Sequence, residues 1–297
     1  MRRLFLIVLA AAAVAALTVG AVQRLGASSG PAETPPLPAP DAAIPSHPAR
    51  LAAVLTTTTR SLRDALGRWS AAGALPDDVT LLALYQQRMI RAMTSRRVLG
   101  DMTLAQLPVD VRGEARDTVL ARRELAAIQG PRGRVPRVKI GPAAPARQLE
   151  RFYFAAQRRF AVDWSVLAAV NFVESAFGRL RNASSAGARG PMQFLPSTWR
   201  RYGLGGDIND PHDAILGAAN YLRRSGAPRN YGRALFAYNH SRHYVRAVRL
   251  FASRMRRDRR AFLTYYAWQV YARTPGGVRR LTGPGLRRGS QDGTPTA

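Results

Sequence analysis

The chain has 297 residues, 46% of them hydrophobic, which is enough for one or two domains with a buried core. It has no cysteine, so disulfides, thiolate metal sites and thiol catalysis are excluded. Its formal net charge is +27, carried almost wholly by arginine, with Lys139 the single lysine. Such a surface is either a solvated arginine coat or an attractor of a polyanion, whether nucleic acid, anionic lipid or anionic cell wall.

Arg2 and Arg3 precede an uninterrupted apolar run over residues 4–22, about the length of a membrane-spanning helix. The paired arginines predict a cytoplasmic N-terminus and an exported remainder. Residues 1–25 are read as a membrane anchor or signal peptide, with the retained anchor favoured because the run is long for a signal peptide's apolar stretch. Export argues against nucleic acid as the partner of the basic charge. Residues 26–48 are rich in Pro, Ala, Gly and Ser and read as a disordered linker.

Residues 49–129 read as an all-helical accessory region. Leu51, Val54, Leu55, Leu62, Leu66 and Trp69 keep helical spacing. A second helix starts at Pro76 and Asp77 and carries Leu82, Tyr85, Met89 and Met93 toward Leu99. A third follows Pro108, with Val111, Ala115, Val119 and Ala126 on one face. No chemical constellation stands out there, and packing on the next domain, positioning it, or binding cell-wall machinery proteins are the readings left open. Residues 130–145, with Gly130, Pro131, Gly133 and Pro136, read as a linker.

The second domain is placed at 146–274, followed by a basic flexible tail over 275–297. Leu149, Phe152, Ala156 and Phe160 mark its first helix, and Asp163 is a fitting N-cap for the helix that begins at Trp164. Leu167, Val170, Glu174 and Phe177 are spaced to share one face, with Gly178 as the expected terminator. Glu174 is thus a carboxylate on an apolar face in a last helical turn. Desolvation and the negative end of the helix dipole both favour its protonated form. A helix-end glutamate bound to a nearby arginine is the plain alternative. Asp210, Pro211 and Asp213 signal a helix start, with Ile215, Ala218, Ala219 and Leu222 inward and a stop at Gly226. A helix from Tyr231 to Asn239 follows, and Ser241 caps another with Tyr244, Val245, Val248 and Phe251 inward. No convincing period-2 strand is found, so any sheet must be small.

The motifs Glu174-Ser175-Ala176-Phe177-Gly178, Gly187 through Gly190-Pro191-Met192-Gln193-Phe194-Leu195-Pro196-Ser197-Thr198-Trp199, and Ala237-Tyr238-Asn239-His240 together resemble the catalytic domain of lytic transglycosylases, lysozyme-like enzymes that cleave peptidoglycan. The flavour is that of the membrane-bound B type. The resemblance spans about 146–255 and implies a mainly α protein, a lysozyme-like helical catalytic domain preceded by the all-α N-terminal region. It implies that Glu174 protonates the oxygen joining N-acetylmuramic acid (MurNAc) to N-acetylglucosamine (GlcNAc), then takes a proton from the muramyl C6 hydroxyl, leaving a 1,6-anhydro end. By the same resemblance, Ser175 bonds near Glu174 or the substrate, and Met192 and Gln193 line the groove beside the Gly187 and Gly190 turn. Tyr238 and Asn239 form the opposite wall, with the Tyr238 hydroxyl aimed at Glu174 or the sugar; a core tyrosine and a helix-ending asparagine are the plain alternatives. Trp199 and Tyr202 are either sugar-stacking or core. Asp163, Asp207, Asp210 and Asp213 read as caps or loop residues, which fits the single catalytic carboxyl that the resemblance implies. His240 and His243 lack a third ligand, and the 205–213 loop is too short for the calcium loop of relatives, so no metal and no cofactor is expected. The expected partners are peptidoglycan glycan strands and the membrane, from an extracytoplasmic location, anchored or secreted. A lysozyme-type muramidase on the same fold, and a non-catalytic wall-binding scaffold, are the rival readings.

Overall fold

The structure is a computed structural model that describes residues 36–128, 138–274 and 277–286. The apolar run over 4–22 lies outside the described residues, and no helix among them is long and apolar enough to cross a membrane. Residues from Leu37 onward cluster as one compact unit.

The N-terminal part contains α1 (Pro48–Arg68), α2 (Asp77–Ser95), α3 (Arg97–Gln106) and α4 (Val109–Ile128). Then come α5 (Ala146–Phe160), α6 (Trp164–Ser175), α7 (Pro196–Tyr202), α8 (Pro211–Arg224), α9 (Tyr231–Tyr238), α10 (Arg242–Arg257) and α11 (Arg259–Ala267). A two-stranded antiparallel hairpin, β1 (Tyr271–Thr274) and β2 (Gly277–Arg280), closes the described chain. The mainly α class expected from the sequence holds.

The second helix expected across 76–99 is two helices. The chain turns at Arg96 (φ −98°, ψ 86°), and α3 leaves so close to α2 that a Cβ on Gly100 would strike the Met93 carbonyl. The helices α7 and α11 and the hairpin go beyond what periodicity indicated. The hairpin lies partly in the stretch expected as a flexible tail. The expected linkers are docked where they are described. Arg88 donates to the carbonyls of Pro40 and Ala42 at 3.1 and 2.7 Å, and the Tyr85 hydroxyl to that of Ala43 at 2.9 Å. Ile140 bridges Leu180, with Gly141 N–H donating to the Arg179 carbonyl at 2.9 Å. Backbone polar groups bonded in this way hold a segment that composition alone reads as loose.

The hub is α10. Tyr244, Ala247, Val248, Phe251, Ala252 and Met255 are buried along one stripe, with arginines opposite. It packs against α4 on one side and α6 on the other. Helix α6 is apolar nearly all round, and Val166 through Asn171 are all buried. Its small Ala168 and Ala169 suit a helix enclosed by others. The N-terminal helices share this core. The Thr118 and Tyr265 hydroxyls are 2.8 Å apart, and the Gln87 side chain both donates to and accepts from the Gln269 backbone at 2.8 and 2.9 Å. Residues 49–128 are therefore packed into the same body as 146–274.

Candidate active site

Asp163 caps α6 as expected, its Oδ1 accepting from Ser165 N–H at 2.8 Å. The other end differs from expectation. The helix stops at Ser175, and Ala176 (φ 51°), Phe177 (φ 63°) and Gly178 (φ 82°) are all left-handed. Phe177 therefore lies beyond the helix face it was expected to share with Glu174. Each left-handed non-glycine residue costs about 1–2 kcal/mol. Burial of the Phe177 ring, stacked on Phe172 at 5.4 Å and edge-on to Phe262 at 5.5 Å, returns about 2–3 kcal/mol. A loop is thus held where a longer helix would otherwise run, and Glu174 stays in the last turn.

Ser175, expected near the substrate, is fully buried. Its hydroxyl donates to the Pro191 carbonyl at 2.5 Å and accepts from Gly178 N–H at 2.7 Å. It ties the end of α6 to the 189–194 turn. Arg189 and Phe194 exchange both backbone hydrogen bonds across that turn, at 2.8 and 2.9 Å. Gly190 (φ 74°) sits so close to the Ile208 carbonyl that a Cβ would collide with it. The close approach that glycine permits here is to the protein's own backbone.

Met192 is also fully buried, its sulfur accepting from Asn171 Nδ2 at 3.1 Å. Gln193 (φ 49°) is half-buried, and its Nε2 donates to the Gly190 carbonyl at 3.1 Å. The Tyr238 hydroxyl donates to the Met192 carbonyl at 2.7 Å, which links the two expected walls directly. Asn239 is the half-buried C-cap of α9. Trp199 is half-buried, its ring edge-on to Phe194 at 5.2 Å and its Nε1 donating to the Gly206 carbonyl at 3.2 Å; Tyr202 leans on Tyr221 at 4.8 Å. Both match the packing reading.

The phenol that reaches Glu174 is Tyr244, whose hydroxyl donates to Glu174 Oε1 at 2.7 Å. Sequence reasoning placed Tyr244 on the inward face of α10 and stopped there. The available signal was a tyrosine on an apolar face one turn after a capping serine, since a buried phenol requires a partner. Ser241 is that cap, its Oγ accepting from Tyr244 N–H at 3.3 Å.

Glu174 keeps partial solvent access, yet burial among its neighbours pushes its carboxyl up to about 7, against a weaker downward pull from the Tyr244 hydrogen bond. No neighbouring acid contributes to that shift. Tyr238 and Tyr244 are driven well above the ordinary phenol range, by burial first and then by the Glu174 charge, so both stay protonated donors.

The acids of the 207–213 loop serve the backbone. Asp210 Oδ1 accepts from Asp213 N–H, and Asp213 Oδ2 from Asp207 N–H, each at 3.0 Å. Asp210, His212 and Asp213 bring one ligand atom each within 4.8 Å of one another, and Asp210 Oδ1 and Asp213 Oδ2 also accept the cap and loop bonds. His243 Nδ1 lies 2.6 Å from Glu124 Oε2, and His240 packs edge-on to Phe236 at 5.5 Å.

The Transglycosylase SLT domain family model matches residues 151–258. A curated relative, the membrane-bound lytic murein transglycosylase F of Thiobacillus denitrificans, is 32% identical over 112 residues, covering 35% of this chain. That match takes in only 23% of the relative's length. No solved structure matches the chain. The relative is named as type F, where the motif flavour pointed to the B type. The matched segment contains α6, the 189–194 turn, α9 and α10, hence Glu174, both walls and Tyr244. The lytic transglycosylase resemblance and the mainly α, lysozyme-like fold expected with it both hold, with residues 151–258 matching the transglycosylase SLT domain model.

Proposed function

We propose that this chain is a peptidoglycan lytic transglycosylase that cleaves the MurNAc–GlcNAc β-1,4 bond with Glu174 as acid and then base. The observation that carries the reading is a carboxyl that holds its proton up to about pH 7 at a helix end, oriented by a tyrosine hydroxyl. Glu174 gives its proton to the glycosidic oxygen as the bond to muramyl C1 breaks. The charge left at C1 is met by the sugar's own N-acetyl oxygen. The Glu174 carboxylate then takes the proton of the C6 hydroxyl as O6 closes on C1, which restores the acid and leaves a 1,6-anhydro end. The attacking hydroxyl belongs to the same sugar as C1, an arrangement with effective molarities of about 10⁵ M or more. A water-using glycosidase of the ordinary kind needs a second carboxylate.

Tyr244 and Tyr238 are assigned as donors that fix Glu174 and the Met192 turn, with Gln193 and Asn239 facing the glycan and Ser175 and Met192 supporting the turn from within. Residues 1–25 would hold the domain outside the cytoplasm at the membrane, and the arginine surface would hold it on the anionic wall. Cell-wall machinery proteins are candidate partners for α1–α4. Glu174→Gln is the test. It should abolish release of soluble muropeptides while leaving wall binding in place. Retained turnover would remove Glu174 from the chemistry, and a wild-type chain without turnover would leave the scaffold reading.

A further inference from the structure

The outer sides of α9 and α10 enclose an open cleft of about 350 Å³, lined by Gly232, Phe236, Arg242, Val245 and Arg246. Small-ligand pockets run from about 300 to 1,000 Å³, so the space suits a small ligand. Phe236 lies two residues before Tyr238, and Arg242 and Arg246 lie two residues either side of Tyr244. At about 100° per residue, the cleft is on the far side of both helices from the hydroxyls that meet Met192 and Glu174.

Phe236 is 40% exposed, its ring edge-on to His240 at 5.5 Å. A lone exposed apolar side chain is ordinary, but this one floors a cleft beside the half-buried Val245. Arg246 pairs with Glu124 at 2.8 Å, whereas Arg242 is exposed and makes no ion pair or hydrogen bond among the described residues. The lining thus carries one uncompensated positive charge. Gly232 stands in the first turn of α9, where a Cβ would meet only Asn230 Oδ1, at 3.3 Å. Neither packing nor a left-handed backbone calls for glycine there, and alanine would favour the helix by up to about 1 kcal/mol. The missing side chain keeps the cleft open.

A ligand that suits this lining has a small apolar part for Phe236 and Val245 and one carboxylate for Arg242. No neutral polar side chain lines the cleft to bond sugar hydroxyls, which favours a peptide over a glycan. Peptidoglycan stem peptides combine alanine methyl groups with free carboxylates. We propose that the α9–α10 cleft binds a stem peptide of peptidoglycan, with Arg242 holding a carboxylate and Phe236 and Val245 covering the methyl side chain beside it. The proposal rests on the reading of peptidoglycan as the polymer engaged, and it uses none of the groups assigned to cleavage. The cleft gives the domain a second hold on the strand.

Calorimetric titration of the full chain with a synthetic stem tetrapeptide ending in D-alanine tests it. Saturable binding with a Kd on the order of 1 mM or tighter is expected. The same peptide with every carboxylate amidated should bind about tenfold more weakly or worse. Gly232→Leu, which fills the cleft, and Arg242→Gln should each weaken binding by about tenfold or more, with thermal unfolding no lower than in the wild type. Both positions face open space, so each variant checks the other. No saturable heat, or undiminished affinity in either variant, would overturn the proposal. Tighter binding of a peptide of L-residues of the same length would assign the cleft to a partner protein's C-terminus and overturn it as well. The tetrapeptide has no glycosidic bond, so the two readings fail separately. A chain that binds it without cutting glycan loses the lytic reading, and one that cuts glycan without binding it loses the cleft.

Discussion

At Glu174 two influences oppose one another. Burial favours the neutral acid, and the Tyr244 hydrogen bond favours the anion, with burial the larger. The folded chain therefore binds a proton that the unfolded chain, with an ordinary value of 4.5, releases earlier. The stability this contributes is complete below about pH 4.5 and is lost as pH rises through about 7. Glu174→Gln, which cannot ionise, should match the wild type in acid and exceed it above neutrality by up to about 3 kcal/mol. Thermal unfolding of both across pH 4 to 8 checks this, and a constant difference would contradict it. Tyr244→Phe removes the downward pull, so the alkaline limb of kcat/KM should move to higher pH while kcat falls about tenfold through lost orientation. An unmoved limb would separate Tyr244 from Glu174. Ser175→Ala leaves the Pro191 carbonyl and Gly178 N–H without their buried partner, at about 1–3 kcal/mol for each group. Urea unfolding should show a loss of about 2–4 kcal/mol; a loss below about 0.5 kcal/mol would mean the hydroxyl does not hold the turn.

At the scale of elements, much was legible. The Trp164 start of α6, the Asp210 cap of α8 and the Ser241 cap of α10 follow from short-range signals, and the structure has all three. Motif order brought Glu174, the Met192 turn and Tyr238 toward one another before any coordinates. What the sequence hid was set by distant contacts. The end of α6 was expected at Gly178, but burial of Phe177 among Phe172, Phe262 and Tyr266 unwinds the chain from Ala176. The partner of Glu174 was sought on α9 at Tyr238, whereas α10 delivers Tyr244, seventy positions along the chain. No local pattern reports which of two inward tyrosines meets an acid. Gly190 was expected in a turn beside the groove, and its close neighbour is the Ile208 carbonyl. Gly190→Ala should therefore displace the turn that carries Met192 and Gln193 and lower kcat/KM without altering secondary structure; circular dichroism alongside kinetics would show it.

For the whole molecule, residues 49–129 looked separable because composition marks a linker at 130–145 and carries no trace of the α4–α10 contact. Arg257 pairs with Asp117 at 2.5 Å and His243 with Glu124 at 2.6 Å, so α4 braces the helix that bears Tyr244. A chain beginning at residue 37 should unfold in one cooperative transition by fluorescence and circular dichroism together. Two separated transitions would restore the independent accessory region. Attraction of the arginine surface to an anionic wall should weaken as salt rises, over a Debye length of about 8 Å at physiological ionic strength. The central claim is that one carboxyl does all the proton work and the sugar supplies its own nucleophile. Mass spectrometry of purified peptidoglycan digested by the wild-type chain and by Glu174→Gln tests this directly. The account predicts 1,6-anhydro-MurNAc ends from the wild type and no digestion by the variant; reducing MurNAc ends, or digestion that survives the substitution, would contradict it.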